Sequence, residues 1–197
     1  MSLLPAMHNL TRRRLLAALA LGAGVAMPAR ADGPLHGRMP PAGLGGAVDL
    51  VDQRGQRFTW SRVSGQPVLL TFGFTRCSAS CPPALGVARQ VLQGLRPNEP
   101  TAVVFVTLDP LSDSPDALRQ YLGAIDARIV GLTGEPVKVA QAADHYGVGV
   151  RLNQGTLEHS SMWYLLDGRA QLRRVYGPTT PAEHLLADIR RLQAAAG

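Results

Sequence analysis

The sequence predicts an α/β domain built on a mixed central sheet flanked by helices. Two apolar runs, Pro67–Phe74 and Thr101–Leu108, are short, nearly unbroken and rich in β-branched and aromatic residues, as strands buried on both faces are. A segment with helix-start chemistry lies between them, so the two strands are expected to run parallel, joined by a crossover helix. Farther on, Met162–Leu166 and Leu172–Val175 flank Asp167-Gly168, a hairpin signal that adds an antiparallel pair to the same domain.

The chain of 197 residues begins with export chemistry. Thr11-Arg12-Arg13-Arg14-Leu15-Leu16 is basic with a twin-arginine pattern, Leu15–Met27 is apolar, and Ala29-Arg30-Ala31 offers a cleavage site. A spanning helix needs about 20 apolar residues, and this run stops sooner at Pro28, which favours a cleaved signal over a retained anchor. A plain secretory signal also begins with basic residues, so both export routes stay open. Removing residues 1–31 takes away four arginines and no acid, leaving 16 basic against 14 acidic residues and a net charge of +2. No basic stripe with interleaved aromatics remains, which excludes nucleic acid as a serious partner. Residues 32–197 suit one domain with its own core.

The elements follow in order. Residues 32–46 are rich in Gly and Pro without apolar period and are expected to be a flexible arm. His36 and Met39 in it are copper-compatible side chains, but isolated residues in such an arm are read as bystanders. From residue 47 the domain proper begins, with Ala47–Trp60 as a hairpin turning at Gly55. After the strand Pro67–Phe74 a helix is expected to start near Pro82 and Pro83, which a helix tolerates only in its first turn, and to bury Leu85, Val91 and Leu95. Asp113-Ser114-Pro115-Asp116 opens a second helix, Arg128–Leu132 is a short strand, and Pro136–Tyr146 is a third helix. His145 at its end is read as complementing the helix dipole. Val148–Leu152 is a further strand, Asn153–Thr156 a polar loop leading to Leu157-Glu158-His159-Ser160, and Pro181–Leu192 a closing helix with His184 solvated in its first turn.

Both cysteines of the chain, Cys77 and Cys81, fall where the first core strand gives way to its helix. A helix N-terminus favours thiolate over thiol, and Arg76 brings a cation beside it. A structural staple is the rival reading, since exported proteins carry disulfides. So short a loop restrains little of the unfolded chain, however, which makes the pair a poor staple and a better reactive or metal-binding one. A cysteine pair at the strand-to-helix junction of such a layout is where a thioredoxin-like fold keeps its redox site.

Three stretches carry a more specific likeness: F-G-F-T-R-C-S-A-S-C-P at 72–82, V-F-V-T-L-D-P-L-S-D-S-P at 104–115 and E-H-S-S-M-W-Y-L-L-D at 158–167. In this order they resemble the motifs of the Sco/SenC family, copper-binding thioredoxin-like proteins that help assemble the copper centre of cytochrome c oxidase. The likeness spans about Val48–Leu192. It implies a thioredoxin-like fold, copper as the metal, and Cys77, Cys81 and His159 as its ligands. Asp109 and Asp113 match the family's acidic motif, implying a structural role or one supporting the ligands from behind. The chain departs from the family pattern at Ser78 and Ala79, where Pro and Asp are usual, and at Glu158, where Asp is usual. The partners implied are the copper-site subunit of cytochrome c oxidase and other periplasmic copper chaperones, with the protein in the periplasm or at the periplasmic face of the inner membrane.

Donor chemistry supports copper independently: two thiolates and an imidazole form a soft, three-coordinate set suited to Cu(I), and thiolate with imidazole also holds Cu(II). Structural zinc takes four protein ligands, and two cysteines fall short of that. Two functions remain: a metallochaperone using Cys77, Cys81 and His159, and a thiol–disulfide oxidoreductase using Cys77 and Cys81 alone. Three residues between the cysteines, instead of two, and the lack of a Trp-Cys-Gly-Pro-Cys sequence favour copper handling. A peroxidase-like role leaves His159 without a purpose.

Overall fold

The computed structural model describes residues 35–77, 81–153 and 156–196; the proposed export segment lies outside them. A seven-stranded sheet has the order β2-β1-β5-β4-β3-β8-β9, and a separate two-stranded ribbon is formed by β6 and β7. The strands are β1 (Leu50–Asp52), β2 (Arg57–Phe58), β3 (Val68–Gly73), β4 (Ala102–Thr107), β5 (Val130–Thr133), β6 (Val150–Asn153), β7 (Thr156–His159), β8 (Trp163–Leu166) and β9 (Leu172–Tyr176). The helices are α1 (Cys81–Gly94), α2 (Pro115–Gly123), α3 (Pro136–His145) and α4 (Ala182–Ala196). β3 pairs parallel with β4 and antiparallel with β8, so the sheet is mixed, as expected.

Every residue of β3 and β4 is buried, which their unbroken apolar runs require. Alternation along β3 then decides which helix each side chain meets. Leu69 packs with Leu85, Ala88 and Val91 of α1, Leu118 of α2 and Leu185 and Ile189 of α4. Val68, Leu70 and Phe72 face the other layer, with Val139, Ala142 and Ala143 of α3 and Tyr146. The sheet is thus sandwiched between α1, α2 and α4 on one side and α3 on the other, a layered α/β architecture.

Three local expectations are corrected. The first hairpin turns at Gly55, with φ of 76°, but its second strand is only Arg57–Phe58, and Trp60 enters a 3-10 turn (Trp60–Val63). The β8–β9 connection is longer than a two-residue Asp-Gly turn: Asp167 N–H donates to Gln171 O, and Ala170 takes a left-handed φ of 58°. Asp167 Oδ1 accepts from Arg169 N and Gln171 N, so its side chain organises the wider loop. His145 lies in the last turn of α3, as expected, and its Nδ1 also donates to Ala47 O at 3.0 Å. Thr156, expected to end a polar loop, instead begins strand β7, with Val150 opposite His159 and Arg151 opposite Glu158.

The arm also differs from the free tether expected. Arg38 bridges to Val175 of β9. The fully buried carboxylate of Asp188 accepts from His36 N at 2.6 Å, from Gly37 N at 3.3 Å and from Tyr176 OH at 2.7 Å. His36 Nδ1 also lies 2.9 Å from Asp188 Oδ1, and its ring stacks on His184 with centroids 4.4 Å apart. His36 and His184 are therefore packing and anchoring residues. Met39 remains 71 % exposed.

Candidate metal centre

Three segments meet at the end of β3. Past Gly73 the chain makes a tight turn in which Cys77 N donates to Phe74 O at 3.1 Å, placing Cys77 on the loop. Cys81 is the first residue of α1 and is buried, whereas Cys77 is half-buried. Pro82 and Pro83 follow it in the first turn, where their missing N–H groups cost no helical bond. The third segment is the β6–β7 ribbon, which ends in His159 and carries it across to the cysteines.

Cys77 Sγ, Cys81 Sγ and a ring nitrogen of His159 all lie within 4.8 Å of one another, with Cys81 Sγ to His159 Nε2 at 3.9 Å. Among the described residues this is the one group of three or more His, Cys, Asp or Glu side chains close enough to share an ion. Bonds of about 2.0–2.3 Å from a first-row metal to nitrogen and sulfur separate trigonal ligand atoms by about 3.5–4 Å, so little movement is needed to close around an ion. Both cysteines are unbridged.

The imidazole is oriented by its other nitrogen. His159 Nδ1 lies 3.3 Å from Ser160 O, and because a carbonyl only accepts, Nδ1 carries the proton. Nε2 is thereby turned toward the sulfurs, the arrangement seen where a ligating histidine is fixed from behind. Phe74 packs against the same ring in a T-shaped contact, with 5.8 Å between centroids.

Asp109 and Asp113 have separate tasks. Asp113 is fully buried, and its carboxylate accepts from Thr75 N at 2.9 Å, Thr75 Oγ1 at 2.6 Å and Thr107 Oγ1 at 2.6 Å. It thereby ties the turn carrying Cys77 to the end of β4. Ser114, not Asp113, caps α2, its Oγ accepting from Ala117 N. Asp109 Oδ2 accepts from Arg76 at 2.7 Å, and the same guanidinium nitrogen donates to Ser112 Oγ at 2.7 Å. Burial tends to raise the Asp109 pKa, but the bonds from Arg76 and Ser112 outweigh it and hold the carboxyl below the usual carboxylate range.

This corrects the role of Arg76, whose charge is matched by Asp109 instead of standing bare beside the thiols. The activating group left to Cys81 is the N-terminus of α1, whose first turn contains no acidic residue. Sequence reasoning missed Thr75 and Thr107 as partners of Asp113, although Thr75 stands inside the cysteine motif. Tyr121 of α2 packs against the core beside Phe105, and its phenol is pushed up to about 12, first by burial and then by charge at Cys81, Cys77 and Asp113.

A match to the SCO1/SenC family extends over residues 37–194. A SCO2-like protein of Rickettsia conorii is 32 % identical over 149 residues, covering 71 % of this chain and 73 % of that protein. Bradyrhizobium japonicum ScoI, solved with copper bound, superposes with a TM-score of 0.68 at 29 % identity, over 76 % of this chain and 99 % of that one. Yeast Sco1 with copper bound gives a TM-score of 0.66 at 29 % identity, over 75 % and 86 % of the two chains. With the thioredoxin-like layering and the strand-to-helix cysteine pair already in place, a match spanning nearly all of the described residues means that this chain belongs to the SCO1/SenC family.

Proposed function

We propose that this protein is a copper metallochaperone. It binds one copper ion through Cys77, Cys81 and His159 and delivers it to the copper-site subunit of cytochrome c oxidase. The observation that carries the reading is the convergence of two thiol sulfurs and an imidazole nitrogen within 4.8 Å, a soft set that no further His, Cys, Asp or Glu among the described residues joins. Two relatives of 29 % identity and the same fold were solved with copper bound, which agrees with that donor set. Half-exposure of Cys77 and His159 leaves one side of the site open to a partner's ligands, so copper can pass by stepwise exchange with Cys81 as the buried hold. Asp109 and Asp113 act from behind, fixing the cysteine turn. Residues 1–31 export the chain, as a cleaved signal or a retained anchor, to the periplasm or the periplasmic face of the inner membrane. Other periplasmic copper chaperones there supply its cargo.

A second reading rests on the two thiols, Cys81 at the N-terminus of α1 and Cys77 on the loop before it. One thiolate attacks a disulfide on the oxidase subunit, forming a mixed disulfide and releasing the first acceptor thiolate. The other cysteine then attacks the mixed disulfide, closes the Cys77–Cys81 bond and releases the second acceptor thiolate, so two electrons pass to the acceptor. Copper handling is preferred because thiol exchange gives His159 no task.

The test is a Cu(I) titration of the reduced protein against a competing chelator, with metal analysis. About one copper per chain is expected, because the cluster offers one soft site. Loading should be lost when the Cys77–Cys81 disulfide is formed, since oxidation removes both thiolates at once. Equal copper retention by the Cys77→Ser, Cys81→Ser double variant would overturn the proposal.

A further inference from the structure

Cys81 Sγ rests against the last residue of β3, which is Gly73. A Cβ added to Gly73 would stand 2.6 Å from Cys81 Sγ, 2.8 Å from Phe105 Cε2 and 3.0 Å from Phe105 Cζ. Heavy atoms in contact without a bond settle near about 3.5–4 Å, so even a methyl group there displaces the sulfur by about 1 Å. The backbone does not call for glycine, because Gly73 is not among the residues with positive φ. Space is the constraint. Cys81 has a single side-chain torsion and is 3 % exposed at the start of α1, so its sulfur yields only by changing rotamer or by dragging the helix start outward. Either movement alters its 3.9 Å approach to His159 Nε2.

We propose that Gly73 is a positioning residue of the copper site, its missing side chain forming the seat that holds Cys81 Sγ within reach of Cys77 and His159. The inference rests on the copper reading above, but the seat itself is testable without metal. Gly73→Ala creates two clashes, one with the sulfur and one with the Phe105 ring, and a double-mutant cycle separates them. In the reduced, metal-free full chain, urea midpoints are measured for wild type, Gly73→Ala, Cys81→Ala and the double variant. The midpoint lost on Gly73→Ala should shrink markedly when Cys81 is already Ala.

For copper, Gly73→Ala is studied alone and with Phe105→Leu, which relieves the ring clash and keeps the core filled. Chelator-competed Cu(I) affinity should fall about 10-fold or more in both, the scale on which residues supporting metal ligands act. The Cu(II)–thiolate absorption band should shift in both as well. Gly86→Ala in α1 is the control, since a Cβ there meets nothing within 4 Å; it should keep wild-type affinity and band position. Wild-type affinity and spectrum in the Gly73→Ala, Phe105→Leu variant would overturn the proposal, as would an additive cycle between positions 73 and 81. A wild-type chain that takes no copper overturns the copper reading and the purpose of the seat together, whereas an additive cycle in a copper-binding chain overturns the seat alone.

Discussion

Removing the Asp113 carboxylate tests how the cysteine turn is held. Asp113 is fully buried and accepts three short bonds, from Thr75 N, Thr75 Oγ1 and Thr107 Oγ1. A hydrogen bond to a charged group contributes about 1.5–3 kcal/mol net, and a buried donor left without an acceptor costs about 1–3 kcal/mol. The Thr107 hydroxyl is fully buried and loses the carboxylate it donates to, although its oxygen still receives Asp109 N at 3.0 Å. Thr75 is partly exposed and can recruit water, so the losses do not add fully. Asp113→Ala should therefore destabilise the reduced, metal-free protein by about 3–5 kcal/mol, a large share of the about 5–15 kcal/mol of a typical domain. Asp113→Asn, which keeps one acceptor oxygen, should lie between. Urea denaturation with unchanged slope reads the loss directly. Where the variant remains folded, its looser turn should also weaken copper binding by about 10-fold or more. A destabilisation under about 1 kcal/mol, or wild-type copper affinity in folded Asp113→Ala, would refute the account of how the turn is pinned.

Asp109→Asn should behave differently, because its partner Arg76 is 69 % exposed and such pairs are worth under about 1 kcal/mol. Urea midpoints should barely move, and a loss as large as that of Asp113→Ala would show that the two acids had been assigned the wrong way round. Asp188 should make docking of the arm sensitive to acid. Burial raises its pKa, but bonds from His36, Tyr176 and Gly37 outweigh this and lower it. A folded-state value below the unfolded one means the stabilisation is complete above the unfolded pKa of about 3.9 and is lost as pH falls through the folded value. Proteolytic cutting within residues 35–46 should therefore rise below about pH 4, and Asp188→Ala should show the same cutting at neutral pH. Equal protection of the arm in that variant would contradict its anchoring role.

The sheet was legible because β3 and β4 are buried on both faces and say so in unbroken apolar runs. The helices were legible from their starts: Pro82 and Pro83 in α1, Ser114 and Pro115 in α2, Pro136 in α3. Strand β7 was not, because it pairs only with β6 in a ribbon apart from the main sheet and Leu157 is its one apolar residue, too little to make a readable alternation. The docked arm was hidden for a similar reason. Gly- and Pro-rich sequence reads as tether, and what holds His36 and Gly37 is a carboxylate about 150 residues away in sequence. At the metal centre the two cysteines declared themselves by spacing and position. His159 was found by family likeness, since nothing local in Leu157-Glu158-His159-Ser160 distinguishes a ligand from a surface histidine. The seat at Gly73 and the pairing of Arg76 with Asp109 depend on which strands adjoin and lie beyond any local pattern.

The central claim, a copper site rather than a dithiol alone, is tested most directly through His159. Copper affinity under chelator competition is measured for wild type and His159→Ala, alongside the rate at which each reduced protein opens a disulfide-bonded acceptor peptide. Copper binding needs the imidazole, whereas exchange needs only the two sulfurs and the helix start that activates Cys81. His159→Ala should therefore lose about 10-fold or more in copper affinity while retaining peptide reduction. Unchanged copper affinity in His159→Ala, in a chain whose Cys77→Ser variant no longer reduces the peptide, would contradict the chaperone account and leave a reductase in its place.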